Sequence, residues 1–225
     1  MFIHKLENLG IHCDESAYLK FETYYEVLLE WNKKMNLTAI TQKEEVFVKH
    51  FFDSICLIKA IDLNNQTLLD VGSGAGFPSI PLKILFPNLN ITIVDSLNKR
   101  IKFLDFLAEK LNISIQTVHS RIEDFSKNNL FDIVTARAVA PLNILSEFCL
   151  PFVKIEGYFL PLKSTKTLDE LNESKRAVKV LGGKIEEVIN YSFDEYERYI
   201  IKIKKETPSP SKYPRPFQQI KKTPL

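Results

Sequence analysis

The amino-acid sequence predicts an α/β fold: a mostly parallel, doubly wound sheet with a helical extension before it and an antiparallel hairpin at its C-terminal end. Three observations lead there. From Thr67 onward short apolar runs alternate with amphipathic stretches, the pattern of strands joined by crossover helices. Gly72, Gly74 and Gly76 stand at alternate positions directly after the first of these runs. Ahead of Thr67 the apolar residues recur at helical spacing instead.

Tyr18, Phe21, Tyr25, Leu28, Leu29 and Trp31 follow Asp14, a suitable N-cap, and predict a helix running to about Asn32. Thr41 with Glu44 three residues on has the form of a capping box. It would open a second helix whose apolar face runs from Val46 through Phe51 to Ile58. Residues 62–66 read as a polar turn. Strands are expected at 67–71, 91–94, 113–118, 131–135 and 158–161, with helices at 78–86, 97–111, 141–152 and 167–181 between and after them. The last two runs, 184–191 and 196–204, are joined too tightly for a crossover and should pair antiparallel. Prolines after Glu206 favour an extended tail. Three segments result: a helical extension over 1–62, a ligand-binding core over 63–205 and a tail over 206–225.

Composition narrows the function classes. The 225 residues are 45% hydrophobic and 26% charged, enough to form one sizeable core. No apolar run approaches a membrane span, and the first ten residues carry His4, Lys5 and Glu7 where a signal peptide would need an apolar stretch. A cytoplasmic, monomeric protein is expected. Cys13, Cys56 and Cys149 are scattered, without a CxxC pattern or a neighbouring histidine, which argues against a disulfide framework and a zinc site. The net charge of +2 is uneven: from Lys202 to Leu225 seven basic residues face Glu206 alone, leaving +6 there and −4 elsewhere. A polyanion-facing surface would therefore include the C-terminus.

The chemistry concentrates in Asp70-Val71-Gly72-Ser73-Gly74-Ala75-Gly76-Phe77. Glycines after a buried strand let the backbone turn sharply and approach a ligand. About 20 residues on, Asp95 ends the next strand, where its carboxylate can accept from both hydroxyls of a ribose. A dinucleotide fingerprint needs a third glycine where Phe77 stands, so a pyrophosphate is not expected. G-x-G-x-G after an acidic residue is the usual first motif of Rossmann-like methyltransferases, which points to S-adenosylmethionine.

Arg137 leaves the fourth strand at the carboxyl edge of the sheet, where it could meet the cofactor carboxylate or an RNA phosphate, or stay a solvated loop arginine. Lys163, ending the fifth strand, has the same readings. His50 and Asp53 lie three apart on one helix face and read as a structural hydrogen bond more readily than as metal ligands. The roles of Asn32, Asn36 and Thr38 stay open. In the tail, Lys212, Arg215, Lys221 and Lys222 interleave with Tyr213 and Phe217, which suits RNA binding or an arm whose aromatics pack on the core.

Segments 31–40, 50–54, 70–81, 95–100, 137–140 and 212–225 together resemble the bacterial 16S ribosomal RNA guanine-N7 methyltransferases, once called glucose-inhibited division protein B. The resemblance implies a class I methyltransferase fold, S-adenosylmethionine as cofactor, and a guanine in the 530 loop of 16S ribosomal RNA, or of a small-subunit precursor, as target. It also implies cofactor contacts from Gly72 and Phe77, with Ile122 and Glu123 flanking the adenine and Arg137 at the cofactor end of the fourth strand. With Gly74, Gly76 and Asp95 these make up the expected cofactor site, and Arg137 and Lys163 are the candidates for substrate positioning. Ser79, Ser164 and Gln218 depart from the family pattern. A methyltransferase acting on a small molecule or protein, or a nucleic-acid-binding module without activity, are the alternatives.

Overall fold

The computed structural model describes residues 1–126, 128, 130–165 and 167–225. Its strands are β1 (Thr67–Val71), β2 (Asn90–Asp95), β3 (Gln116–His119), β4 (Phe131–Arg137), β5 (Val153–Lys163), β6 (Gly183–Phe193) and β7 (Tyr196–Lys205). They form one sheet in the order β3-β2-β1-β4-β5-β7-β6. β1 to β5 pair in parallel, and β7 joins antiparallel to both β5 and β6. Strand order reverses between β1 and β4, so their carboxyl ends flank the crevice in which doubly wound folds bind ligands.

The helices are α1 (Phe2–Glu7), α2 (Glu15–Asn32), α3 (Lys43–Val46), α4 (Asp53–Ile55), α5 (Ser79–Leu85), α6 (Asn98–Leu111), α7 (Leu142–Cys149), α8 (Thr167–Val180) and α9 (Phe217–Lys222). Successive strand residues point to opposite faces, and the two cores follow that alternation. Leu68 faces α2, α5 and α6 along with Phe21, Phe51 and Leu104, while Leu69 and Val71 face α7 and α8. Tyr213 and Ile220 of the C-terminal segment are buried in the second cluster, and the N-terminal helices in the first. No helix among the described residues is long and apolar enough to cross a membrane.

Asp14 caps α2 as expected, accepting from the Ala17 N–H at 2.7 Å. The Thr41 capping box does not form: Gln42 is the N-cap of α3, and the Thr41 carbonyl accepts from the Tyr25 hydroxyl at 3.0 Å. Between α3 and α4 the chain widens into a π-turn over Phe47–Phe52. Along that turn Phe47, Val48, Phe51 and Phe52 are all buried in the core.

β3 starts at Gln116, later than expected. Asn112 ends α6 in the left-handed region (φ 49°), and the Ile113 N–H closes back on the Ala108 carbonyl at 3.0 Å, so residues 113–115 belong to a helix cap. β5 is longer than its apolar run, because Lys154, Ile155 and Glu156 extend it in a polar and exposed stretch. The tail is no free extended arm: it folds back, turns into α9 and is pinned to α7.

The pin is ionic. Glu147 of α7, 0% exposed, accepts from Arg215 Nε at 2.7 Å, from Nη2 at 2.6 Å and from its backbone N–H at 3.0 Å. Removing one partner of such a buried pair strands the other charge. Arg215→Ala should therefore cost about 3 kcal/mol of stability, and most of that cost should vanish when Glu147→Leu is added. Urea unfolding of both variants checks this, and a loss below about 1 kcal/mol in the single variant would contradict it.

Candidate active site

The glycine turn is built by backbone conformation. Gly72, Gly74 and Gly76 have φ of 71°, 63° and 97°, the left-handed region that favours glycine. A side chain on Gly74 would project into open space, whereas one on Gly76 would collide with Ile80 and with the Tyr24 hydroxyl, at 2.7 and 2.8 Å. Gly74 thus faces outward and Gly76 is needed for packing.

A cavity of about 480 Å³ opens along the carboxyl ends of β1 to β4, lined among others by Gly72, Asp95, Arg100, Ile122, Glu123, Val139 and Phe217. The Asp95 carboxylate sits at its floor, accepting from the Leu97 N–H at 2.9 Å and, at 3.3 Å each, from the Gly74 N–H and Arg100. Beside the glycine turn, among the described residues, Asp70 Oδ1 and Ser73 Oγ are buried without a hydrogen-bond partner. An acid at the end of β2 facing a glycine turn across the cavity fits S-adenosylmethionine with its ribose on Asp95.

Asp70 is fully enclosed. Its Oδ2 accepts from the Ser79 hydroxyl at 2.6 Å and the Ser79 N–H at 3.3 Å. Burial pushes its carboxyl up to about 7, against the opposing pull of the Ser79 bonds. Ser79, one of the three departures from the family pattern, is thus the partner that holds this acid.

A second cavity of about 390 Å³ lies beyond Ala138, which lines both. Ile40, Lys49, His50, Asp53, Arg137, Leu162, Lys163, Ser164, Tyr196 and Arg198 complete its wall. Asp53, 3% exposed, is its anchor. One oxygen accepts from Arg137 at 3.0 Å, and the other from the Tyr191 hydroxyl at 2.8 Å with Arg198 at 3.7 Å. The Arg137 guanidinium also lies 3.3 Å from His50 Nδ1 and stacks 4.7 Å over the Phe77 ring. Burial and the neighbouring Arg137 push His50 down to about 3, so its imidazole is neutral. His50 Nε2 meets the Thr38 hydroxyl at 2.8 Å, and Asn32 fixes that loop by accepting from the Leu37 and Thr38 N–H groups at 2.8 and 3.0 Å.

The sequence-predicted residues thus divide. Gly72, Asp95, Ile122 and Glu123 line the first cavity, and the Gly74 N–H reaches Asp95. Gly76 and Phe77, expected at the cofactor, face inward; the Phe77 ring stacks between Tyr24 and His50. Arg137 turns to the second cavity with Lys163, which pairs with Glu170 at 2.5 Å and donates to the Ala140 carbonyl. Lys212, Lys221 and Lys222 are exposed, but Arg215, expected to face RNA, is spent on Glu147. Asn36 is exposed. Sequence reasoning missed Lys49, Tyr191, Tyr196 and Arg198, and it read Phe217 as an RNA-binding or core-packed aromatic rather than as part of the first cavity. Only the alternation of β6 and β7 could have hinted at the hairpin members. A larger cleft, about 1030 Å³, opens at the amino edge of the sheet around Asn65, Asn90 and Gln116, away from the edge at which such folds bind ligands.

The raised Asp70 has a measurable consequence. An unfolded aspartate titrates near ~3.9, so between about pH 4 and 7 the folded protein keeps a proton that the unfolded chain has lost. Stability must fall as pH rises through that window. Asp70→Asn removes the slope, so its stability relative to the unchanged protein should rise by about 2 to 4 kcal/mol from pH 4 to 7 and then level off. Denaturant unfolding at a series of pH values checks this, and a pH-independent difference would contradict it.

Over residues 17–200 the sequence matches the family described as rRNA small subunit methyltransferase G (GidB). A protein named ribosomal RNA small subunit methyltransferase G from Bacillus cytotoxicus is 52% identical over 222 residues, covering 95% of this chain and 93% of the relative. Its namesake from Staphylococcus saprophyticus is 51% identical over 228 residues, covering 98% and 95%. Among solved structures, magnesium protoporphyrin IX methyltransferase from Synechocystis PCC 6803 with bound SAM superposes at a TM-score of 0.58, with 13% identity, over 80% of this chain and 96% of that one. At that identity only the fold is shared. The family match runs from α2 into β7 and relatives are half identical along nearly their whole length, so the chain belongs to the rRNA small subunit methyltransferase G family.

Proposed function

We propose that the protein methylates N7 of a guanine in the 530 loop of 16S ribosomal RNA, with S-adenosylmethionine as methyl donor. The observation that carries this reading is the meeting of two cavities at Ala138, one fitted to the cofactor and one rich in cations, at the switch point of the sheet. Asp95 would hold the ribose, with Ile122 and Glu123 flanking the base. When bound, S-adenosylmethionine supplies a sulfonium methyl whose transfer moves one positive charge from sulfur to the base.

Guanine N7 has a free lone pair and no proton to lose, so no general base is needed. The protein's work is to place N7 in line and to tolerate the cation that forms. The second cavity suits both. Arg137 is held rigidly by Asp53, His50 and Phe77, and its neighbours Lys49 and Lys163 are each paired with a carboxylate, Glu45 and Glu170. Cations compensated in this way orient phosphate and base without a large net positive field on the product. The exposed Lys212, Lys221 and Lys222 add phosphate contacts outside the cavity.

Methyl transfer from labelled cofactor to naked 16S ribosomal RNA and to small subunits, followed by mapping, tests the reading. Label at N7 of one guanine is expected. Label on a small molecule or protein instead, with none on either RNA form, would overturn it. Arg137→Lys keeps the charge but loses the planar fork that Asp53 and His50 align. Its kcat should fall on the order of 100-fold, with cofactor affinity changed less than about threefold. Asp53→Asn should repeat that split more weakly. Equal losses in kcat and cofactor binding would place Arg137 at the cofactor instead.

A further inference from the structure

We infer that the C-terminal segment completes the cofactor cavity, with Phe217 forming the wall of the end that takes the purine. The inference rests on S-adenosylmethionine occupying that cavity. Strand order sets direction along it: the glycine turn follows β1, the ribose acceptor Asp95 ends β2, and the loop after β3 therefore meets whatever lies beyond the ribose. Phe217 lines the cavity on that side. Its backbone N–H donates to Glu123 Oε1 at 3.3 Å, and the Arg121 guanidinium lies 5.6 Å over its ring, both residues belonging to the loop after β3. The ring also stacks on Phe148 at 6.1 Å, and Phe148 lines the same cavity.

Position alone would not make a site residue of a chain end, since chain ends tend to fray. Here the segment is anchored on both sides of Phe217. Arg215 is locked into the buried Glu147, and Ile220 is 0% exposed in the core beneath α7. A half-buried aromatic ring held at both flanks offers a flat apolar wall to a purine, and aromatic contact with a base is worth about tenfold or more in affinity. The same lock explains why Arg215 is not free for RNA.

Calorimetric titration of the full-length protein with S-adenosylhomocysteine and with adenosine tests this, alongside melting temperatures. Phe217→Ala should weaken both ligands about tenfold, and Phe217→Leu, which keeps apolar bulk and the strap but loses the flat face, about threefold. The leucine variant carries the comparison if the alanine variant fails to fold. An unchanged dissociation constant in either folded variant overturns the inference, even if its melting temperature falls, because the segment is then only a strap. A loss for S-adenosylhomocysteine without one for adenosine also overturns it, placing Phe217 at the amino-acid end. Failure of the unchanged protein to bind either ligand would instead remove the cofactor reading itself, and this inference with it.

Discussion

Asp53 is a carboxylate removed from water and shared between a guanidinium at the end of β4, a second guanidinium on β7 and a phenol on β6. An isolated charge at such a depth would be prohibitive, and only a full set of donors makes it tolerable. The donors come from parts of the chain far apart in sequence. The π-turn supplies His50 and α4 supplies Asp53, while the parallel sheet supplies Arg137 and the hairpin supplies Tyr191 and Arg198. The helical extension and the hairpin are thereby fastened to the same atom group that shapes the second cavity.

The first cavity depends on a different constraint. A left-handed backbone at Gly72 and Gly74 clears space in front of β1, while the acid behind the turn is enclosed and only half satisfied. Ser79 supplies that half. A residue without a hydroxyl at this position could offer only its N–H, so the serine favours the ionised form of Asp70 through a second bond. The two cavities share Ala138 in their walls, itself left-handed at φ 58° where the chain leaves β4.

Local pattern carried most of the framework. The alternation from Thr67 onward and the Asp14 cap are properties of neighbouring residues, and the strands and α2 follow them closely. Asp95 and Gly72, expected as ribose acceptor and glycine turn from their spacing on consecutive strands, line one cavity. What was not legible is tertiary. Nothing near His50 or Asp53 announces Arg137, 84 residues beyond Asp53, as their partner. Polar residues in β5 masked its length, and the Thr41 capping box was a chance spacing, the N-cap of α3 falling one residue later at Gln42.

The basic C-terminus shows how far a count of charges can mislead. Of the seven basic residues from Lys202 onward, Lys205 is 2% exposed and donates to the Leu150 and Leu181 carbonyls at 2.8 and 2.6 Å, with burial pushing it down to about 8. Arg215 is consumed by Glu147, Lys204 pairs with Glu156 at 2.7 Å, and Lys202 lies 4.9 Å over the Tyr158 ring. Lys212, Lys221 and Lys222 remain exposed. Much of the charge that looked like a polyanion surface is internal fastening. Arg215, by fastening the segment to Glu147, holds Phe217 at the first cavity, so a charge that looked RNA-facing shapes that cavity's wall instead.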